Sequence, residues 1–265
     1  MKTFFGNLLA IYRRELQSYF TSPFAYVIAA VFWLIGGLFL VTILLSPNGL
    51  IAQVSIADQQ GISAQSYDVP YEFLKIYLNL LGSLAMFVLP MLSMGLYAEE
   101  RKQGTLELLA TSPLTNWVVA LGKLLGVVTF FSAMLLPLMI CELVAFSSSQ
   151  PVFPQAVFWL GHAGLMLLAA SVLALGMFIS SLSESTVLAA VMTFGLVLLL
   201  WVVDAISSLP GPVGEAIGHL SLLTHFTDFT QGIFDTSGLI LFLSYIILGL
   251  FLTAQSIDTL RFQRS

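Results

Sequence analysis

The sequence predicts an all-α protein that crosses a membrane six times and forms one domain over residues 1–265. Hydrophobic residues make up 58% of the chain and charged residues only 9%, and the mean hydropathy is +0.97. An ordinary soluble domain carries about 25% charged residues. Six apolar segments approach or exceed the roughly 20 helical residues needed to cross a bilayer. Such segments must be helices there, because their backbone groups find no water to bond.

The first predicted element is an amphipathic helix over residues 4–20. At about 100° per residue its apolar side chains share one arc, and Arg13 and Arg14 lie on the other. Glu15 is the one charge that does not fit this division. A helix of this kind lies along a membrane interface. The Ser-Pro pair at 22–23 then ends it and turns the chain into the membrane.

Six predicted spans follow, at residues 24–45, 76–97, 117–146, 157–180, 186–206 and 239–255. Pro90 and Pro137 lie inside the second and third spans, and we expect each to kink its helix rather than end it. Residues 46–75 are polar, which predicts an exposed loop with a short helix. Residues 207–238 are apolar but too interrupted to cross, which predicts an outer interfacial or re-entrant helical hairpin.

The distribution of Lys and Arg predicts the orientation, because cytoplasmic segments carry an excess of both. Six spans place both termini on the same side. Of the nine Lys and Arg residues, eight fall on that side or just within it: Lys2, Arg13, Arg14, Arg101, Lys102, Lys123, Arg261 and Arg264. Only Lys75 falls opposite. We therefore predict that both termini and residues 98–115 face the cytoplasm.

Composition and motifs exclude several kinds of site. The net charge of −5 leaves no basic surface for nucleic acid. Cys141 is the one cysteine, so no intrachain disulfide or cysteine metal cluster can form, and we expect it in the core. The chain has no G-x-x-x-x-G-K-[ST] motif and therefore no predicted ATP site. We expect no cofactor in this chain.

The segment AEERKQGTLELLATSPLT, residues 98–115, separates the second and third spans and is unusually charged. Gly104 is expected to break the helix of the second span, and Thr105 to cap a new helix that Pro113 ends after about two turns. Leucines on this short helix would face the cytosol and suit a groove of another protein. A solvated interfacial turn is the alternative. The candidate residues are Glu99, Glu100, Arg101, Lys102, Gly104, Thr105, Leu106, Glu107, Leu108, Leu109 and Pro113.

Three separated motifs resemble a known family, the ABC-2 class of ABC transporter membrane subunits. EERKQGTLELLATSPLT, residues 99–115, is similar to the family signature that leads into the coupling helix. YRRELQSYFTSPFAYVI, residues 12–28, resembles the entry helix and first span of the subgroup named for the gliding-motility permease. LSLLTHFTDFTQGIFDTSGLILFLS, residues 220–244, resembles the last outer hairpin of that subgroup.

The resemblance implies a permease subunit, by family habit an exporter, in the cytoplasmic (inner) membrane of a bacterium. It implies a second permease copy or paralogue as partner, cytosolic ABC ATPase subunits that bind ATP and Mg, and in some systems an outer-face accessory subunit. Family members contact the ATPases at positions matching Arg13, Arg14 and Glu15 and residues 99–115. Their second and fifth spans commonly line the route between the two halves.

Two other functions stay open. A stand-alone carrier or channel would need a solute site at mid-membrane, and the spans offer no acidic pair or evident inverted repeat. An intramembrane enzyme would need a catalytic constellation, and no G-x-S-x-G, H-E-x-x-H or paired intramembrane aspartates are found.

Several polar residues have both a functional and a structural interpretation. Glu142 either binds a cationic group or lies at the interface, and His162 is either a proton relay or a hydrogen-bonded interfacial residue. Lys123 is expected to extend to the cytoplasmic headgroups. An outer metal site is disfavoured by the spacing of its candidate ligands, which are Asp204, His219, His225, Asp228 and Asp235.

Overall fold

The computed structural model describes residues 2–59, 68–105, 115–147, 149 and 152–262, and these residues form helices and no strand. Among these residues six helices are long and apolar enough to cross a membrane, which confirms the predicted all-α class with six spans. The entry helix is Lys2–Thr21. The spans, numbered 1 to 6, are Pro23–Leu45, Val69–Ser93, Asn116–Ala145, Gln155–Leu182, Thr186–Ser207 and Thr236–Phe262. Shorter helices are Leu50–Gln59, Gly95–Lys102, Pro212–Gly218 and Leu222–Thr230.

Span 4 forms the centre of the bundle. Within its most hydrophobic stretch 72% of residues are buried, against 28% in span 1 and 22% in span 5. Small residues allow its neighbours to approach closely, as is usual between membrane helices. A Cβ at Gly164 would lie 2.6 Å from Phe229 of the Leu222–Thr230 helix, and a Cβ at Gly249 of span 6 would lie 2.6 Å from the backbone of Ala174. Spans 1 and 5 form the exposed sides.

Span 2 has a break that the sequence did not reveal. The helix Val69–Ser93 ends at Met94, and the chain continues at once as Gly95–Lys102, which we call the extension. The Ser180 hydroxyl of span 4 bridges this break. It accepts the backbone N–H groups of Tyr97 (3.1 Å) and Ala98 (3.0 Å) and donates to the Met94 carbonyl (2.7 Å).

The prolines inside spans 2 and 3 do not end their helices, as expected. Pro90 lies within Val69–Ser93 and Pro137 within Asn116–Ala145. Cys141 is exposed on the surface of the bundle, so its expected core position is wrong. It lies next to the buried Glu142, and the helical rotation between successive residues turns the two side chains to different faces.

The outer segments contain the helices that were predicted there. Leu50–Gln59 lies in the first outer segment, whose residues 60–67 fall outside the described part of the chain. In the second, Pro212–Gly218 and Leu222–Thr230 form a pair that we call the outer hairpin. Its Phe226 ring lies against Gly82 of span 2, where any side chain larger than hydrogen would collide with it. The hairpin is therefore packed onto spans 2 and 4.

Candidate functional site

Four charged side chains meet where the entry helix, the extension and span 3 come together. We call Arg14, Glu15, Glu100 and Lys123 the charge cluster. The Lys123 Nζ lies 3.0 Å from Glu15 Oε2 and 3.1 Å from Glu100 Oε1, and it donates to the Leu96 carbonyl at 2.8 Å. An Arg14 Nη2 lies 3.4 Å from the same Glu100 oxygen. The cluster thus ties three separate elements together with balanced charge.

Two glycines of span 3 bring the entry helix close enough for this contact. A Cβ at Gly122 would lie 2.8 Å from Ile11 Cγ2, and one at Gly126 would lie 2.8 Å from Glu15 Cβ. These glycines are four residues apart, so they lie on one face of span 3. Lys123 follows the first of them and faces the same junction. Glu15, the misfit of the amphipathic pattern, therefore faces a cation.

The Lys123 side chain does not reach toward the headgroups, so this expectation is wrong. Its side chain is only 4% exposed, and two carboxylates and a carbonyl satisfy its ammonium inside the protein. The Tyr97 ring lies 5.1 Å from the same nitrogen, a favourable cation–π distance. A lysine reaches for headgroups when the protein offers no anion, and here it offers two.

Two carboxylates of the charge cluster are largely buried and therefore need a neighbouring cation. The Glu15 and Glu100 side chains are 13% and 12% exposed, whereas Arg14 is 67% exposed. The second oxygen of Glu100, Oε2, is buried without a hydrogen-bond partner among the described residues. Each buried carboxylate depends on Lys123, because an uncompensated charge in a protein interior is strongly unfavourable.

Tyr19 adds a neutral anchor beside the cluster. Its hydroxyl donates to the Leu92 carbonyl of span 2 at 2.6 Å, and its ring stacks on Phe130 of span 3 with centroids 5.1 Å apart. Burial first, and then the negative charge of Glu15, raise the pKa of Tyr19 well above its ordinary value. The hydroxyl is therefore a donor at any physiological pH, and it fixes the entry helix against spans 2 and 3.

Gly104 closes the end of the extension, where the sequence predicts that a glycine breaks the helix. Gly104 has a φ of +71°, a left-handed conformation that glycine adopts without a steric penalty. Its N–H donates to the Arg101 carbonyl at 3.1 Å, and the Thr105 N–H donates to the Glu100 carbonyl at 3.0 Å. This pair of bonds is a Schellman cap. It closes the helix whose Glu100 belongs to the charge cluster.

Thr105 is the last described residue before the predicted coupling helix. Its hydroxyl donates to the Glu100 carbonyl at 3.2 Å, so it helps to close the extension. The other candidates of this segment, Leu106, Glu107, Leu108, Leu109 and Pro113, lie outside the described residues. The short helix they were predicted to form stays a prediction.

Arg101 fixes the extension to the turn between spans 4 and 5. Its Nη1 donates to the Ser181 carbonyl at 2.9 Å, and its Nε lies 3.4 Å from Glu184 Oε1. The sequence singled out neither Ser181 nor Glu184, because an isolated serine or surface glutamate carries no signal. The remaining predicted residues, Arg13, Glu99 and Lys102, are exposed.

A cleft of about 690 Å³ opens beside the charge cluster, between the entry helix and the end of span 2. Charged side chains and apolar side chains of spans 1 and 2 line it together. Lining residues include Arg14, Glu99, Lys102, Phe24, Ile28 and Met91. The exposed charges are therefore accessible at the same end of the bundle as the buried ones.

Polar side chains also contact each other at the opposite end of the bundle, first around His225 and Asp204 of the outer hairpin region and then between Glu142 and His162. His225 Nδ1 is 3.9 Å from carboxylate oxygens of both Asp228 and Asp235, and burial raises the pKa of Asp228. Asp204 instead accepts hydrogen bonds from Ser221 (2.7 Å) and Thr224 (3.0 Å), which is a structural role. No three His, Cys, Asp or Glu side chains in the described chain are arranged to hold a metal ion.

Glu142 and His162 form the second group. The His162 Nε2 lies 3.4 Å from Glu142 Oε1, and their side chains are 4% and 0% exposed. Glu142 is therefore enclosed by protein, and His162 has a carboxyl group as its neighbour rather than standing alone. The sequence could not join them, because their partnership depends on how spans 3 and 4 pack rather than on spacing along one helix.

One comparison identifies the chain's relatives. Residues 9–256 match the family model described as ABC-2 family transporter protein. This match covers the entry helix from residue 9, spans 1 to 5, the outer hairpin and span 6 up to residue 256. It does not distinguish the gliding-motility subgroup, which stays a prediction. No curated protein matches the chain.

Proposed function

Because the chain belongs to the ABC-2 family of transporter proteins, we propose that it is the permease subunit of an ABC exporter, driven by a cytosolic ATPase through its entry helix and residues 99–115. Family members are membrane permeases that work with a cytosolic ATPase. They are not enzymes themselves, since ATP hydrolysis belongs to the partner. An intramembrane enzyme is thereby excluded.

The charge cluster is the observation that carries the proposal. It joins the entry helix and the extension, the two described elements next to the proposed ATPase contact, to span 3. A partner that displaced either element would therefore displace spans 2 and 3 with it, because separation would expose Lys123 or strand a buried carboxylate. Exposed Arg13, Glu99 and Lys102 surround the cluster and could bind the ATPase surface.

The proposal puts the charge cluster and both termini in the cytoplasm. Lys and Arg support this orientation, because among those in the described part of the chain only Lys75 lies at the opposite end of the bundle. The membrane is proposed to be a bacterial inner membrane, where ATP is available on the cytoplasmic side alone. The proposed direction of transport is export, which is the usual assignment for members of this family.

A second permease subunit is proposed to pack beside spans 2 and 5. An aromatic cluster joins these spans, in which the Phe87 ring contacts the half-buried rings of Phe194 (centroids 6.5 Å apart) and Trp201 (5.6 Å). Phe87 itself is 51% exposed. A route between two such copies would be lined largely by apolar side chains, which suits an amphipathic cargo.

Disulfide crosslinking tests the ATPase contact directly. The chain, with Cys141→Ser as background, would be co-expressed with a candidate ABC ATPase from the same source, which carries one engineered surface cysteine. We expect Gln103→Cys, at the end of the extension, to crosslink to the ATPase. The matched control Val152→Cys is 84% exposed at the opposite end and should not crosslink. Crosslinking of Val152→Cys alone would refute the proposed orientation.

A charge reversal tests the coupling. Glu100→Lys puts a third cation beside Lys123 and Arg14, so we expect the complex to assemble but the ATP-driven distance change between spin labels on spans 2 and 5 to be lost. Lys75→Glu is the matched reversal at the far end and should leave that change intact. An unaltered distance change in Glu100→Lys would remove the cluster from the coupling route.

A further inference from the structure

The contact between Glu142 and His162 lies at the end of spans 3 and 4 opposite the charge cluster, and the proposed function makes no use of it. Lys123 and Glu142 are 19 residues apart on span 3, which is about 28 Å along a helix. The two sites are therefore separate. Both Glu142 oxygens and His162 Nε2 are buried without a hydrogen bond that meets ordinary geometry.

The other ring nitrogen of His162 determines which atom faces the carboxyl group. His162 Nδ1 lies 2.9 Å from the Phe158 carbonyl oxygen. A carbonyl oxygen only accepts hydrogen bonds, so Nδ1 must carry a hydrogen. In a neutral imidazole Nε2 is then a bare acceptor. That acceptor faces Glu142 Oε1 at 3.4 Å, which is an acceptor too when the carboxyl is ionised.

Two acceptors facing each other in a buried site repel unless a proton lies between them. If Glu142 is protonated, its O–H donates to Nε2; if His162 is protonated, its Nε2–H donates to the carboxylate. Both arrangements contain one proton more than the pair formed by a neutral His162 and an ionised Glu142, which we call the empty pair. The empty pair would leave an uncompensated charge in the interior, which is the costliest alternative.

No other charge compensates this pair within the described residues. No Lys or Arg nitrogen lies within 4.0 Å of the Glu142 carboxyl group. On span 1 the one titratable residue is Tyr26, at the other end, and span 4 offers His162 alone. Among the described residues, the titratable groups on the remaining elements near this end are Asp58 of Leu50–Gln59, Asp68, Tyr71, Glu72, Lys75 and Tyr77 at the start of span 2, Cys141 of span 3, Asp204 of span 5, Tyr245 of span 6, and Glu215, His219, His225, Asp228 and Asp235 around the outer hairpin. Tyr77 is engaged by the Gly36 carbonyl at 3.2 Å.

Aromatic rings separate the pair from the surface. Phe158 lies 4.5 Å from the His162 ring between centroids, and Phe153 lies 5.5 Å from Phe158. Phe153 stacks on Phe146 at 5.6 Å, and Phe146 contacts Phe73 of span 2 at 5.0 Å. Phe158 and Phe73 are fully buried, whereas Phe153 is half-buried. These rings cover one side of the buried pair, and a proton that exchanges on this side must pass them.

We propose that Glu142 and His162 form an occluded proton-binding site, which holds one proton between Oε1 and Nε2. Any movement that opens the contact between spans 3 and 4 would return both groups to water and change the number of bound protons. Movement at this end of the bundle is therefore linked to pH. The inference does not depend on the ATPase partner.

Nitrogen NMR of the full chain in lipid nanodiscs, with ¹⁵N-labelled histidine, tests the proposal. The chain has only three histidines, so comparison with His162→Gln assigns the signal. We expect His162 Nε2 to be protonated or strongly hydrogen-bonded in the wild type over about pH 5–8. Glu142→Gln, whose amide can donate to Nε2, should keep the hydrogen-bonded shift, and Glu142→Leu should show a bare Nε2.

Infrared difference spectra of the same samples complete the test. If the proton resides on the carboxyl, Glu142→Gln should remove one protonated-carboxyl band; if it resides on the ring, the NMR spectrum should show an imidazolium. Either result supports the site. A wild-type spectrum with a bare Nε2 and no protonated-carboxyl band lost in Glu142→Gln would overturn the proposal. The wild-type NMR and infrared spectra, together with those of the isosteric Glu142→Gln, decide the test. It therefore stands even if Glu142→Leu fails to fold.

Discussion

Replacement of Lys123 by methionine is the most informative perturbation of the charge cluster. Methionine keeps the length and most of the apolar stem, so the change removes the ammonium and little packing. At an effective dielectric constant of about 20, each carboxylate at 3.0 or 3.1 Å attracts the ammonium with about 5 kcal/mol. Desolvation of the three ions offsets much of this. Removal of one partner from a buried ion pair nevertheless costs about 3–5 kcal/mol, because the other charge stays buried.

We therefore expect Lys123→Met to lower the free energy of unfolding by about 3–5 kcal/mol. Arg14→Met is the matched control, since it removes a cation that contacts the same Glu100 oxygen. Arg14 is 67% exposed and 3.4 Å away, so its loss should cost about 1 kcal/mol or less. Unfolding of the purified chain in mixed micelles with rising dodecyl sulfate, followed by tryptophan fluorescence and circular dichroism, measures both.

A double-mutant cycle separates the ion pair from general disruption. Lys123→Met combined with Glu15→Gln removes the cation and one carboxylate that depends on it. We expect the combined loss to fall short of the sum of the single losses by about 0.5–3 kcal/mol. Equal losses in Lys123→Met and Arg14→Met, or strictly additive losses in the cycle, would refute the electrostatic reasoning.

Three further changes test other features. Gly249→Ala puts a Cβ 2.6 Å from the Ala174 backbone and should cost about 1–3 kcal/mol in the same micelle assay. Gly195→Ala, which meets no atom within 4 Å, should cost nothing measurable, and equal losses would contradict the close approach of spans 4 and 6. Gly104→Ala forces alanine into the left-handed region at about 1–2 kcal/mol, so tryptic cleavage of the extension should accelerate; an unchanged rate would show that the Schellman cap does not hold this end. Burial raises the pKa of Asp228 above its unfolded value, so the folded state is favoured at low pH and that advantage is lost as the pH rises through the folded pKa. Asp228→Asn should therefore raise the melting temperature at about pH 7 and leave it unchanged at about pH 3, and a lower value at the higher pH would reverse the sign of this argument.

Hydropathy predicted all six spans because a bilayer imposes one simple requirement, a long apolar helix. It predicted the ends of those helices less well. Span 2 was expected to begin at residue 76 and begins at Val69, and span 6 was expected to end at residue 255 and continues to Phe262. Apolar composition marks the part of a helix inside the hydrocarbon, whereas the helix ends depend on caps such as Asp68, which accepts the Tyr71 N–H at 3.0 Å.

The charge cluster was present in the sequence as two separate anomalies. Glu15 interrupts the pattern of an amphipathic helix, and Lys123 lies inside a span. Each is unfavourable alone, and each was interpreted alone. Periodicity gives the direction of a side chain on its own helix but not the partner it meets, and these two residues are 108 positions apart. Opposite charges in unfavourable positions on two predicted helices are a signal that the helices pack together.

The two ends of span 3 differ in how well their charges are satisfied, and this bears on how movement would pass through the protein. Lys123 has three oxygen partners, whereas Glu142 has one facing nitrogen at 3.4 Å and no other partner among the described residues. Opening the contacts of Lys123 would expose a cation that three oxygens surround, whereas opening the contact of Glu142 breaks a single interaction. Displacement of the entry helix would therefore carry span 3 as a rigid lever, and the contact that yields first would be the one with span 4 at the far end. The proposed ATP-driven step would then open the bundle about 28 Å from where it is applied, with a change of one bound proton as its signature.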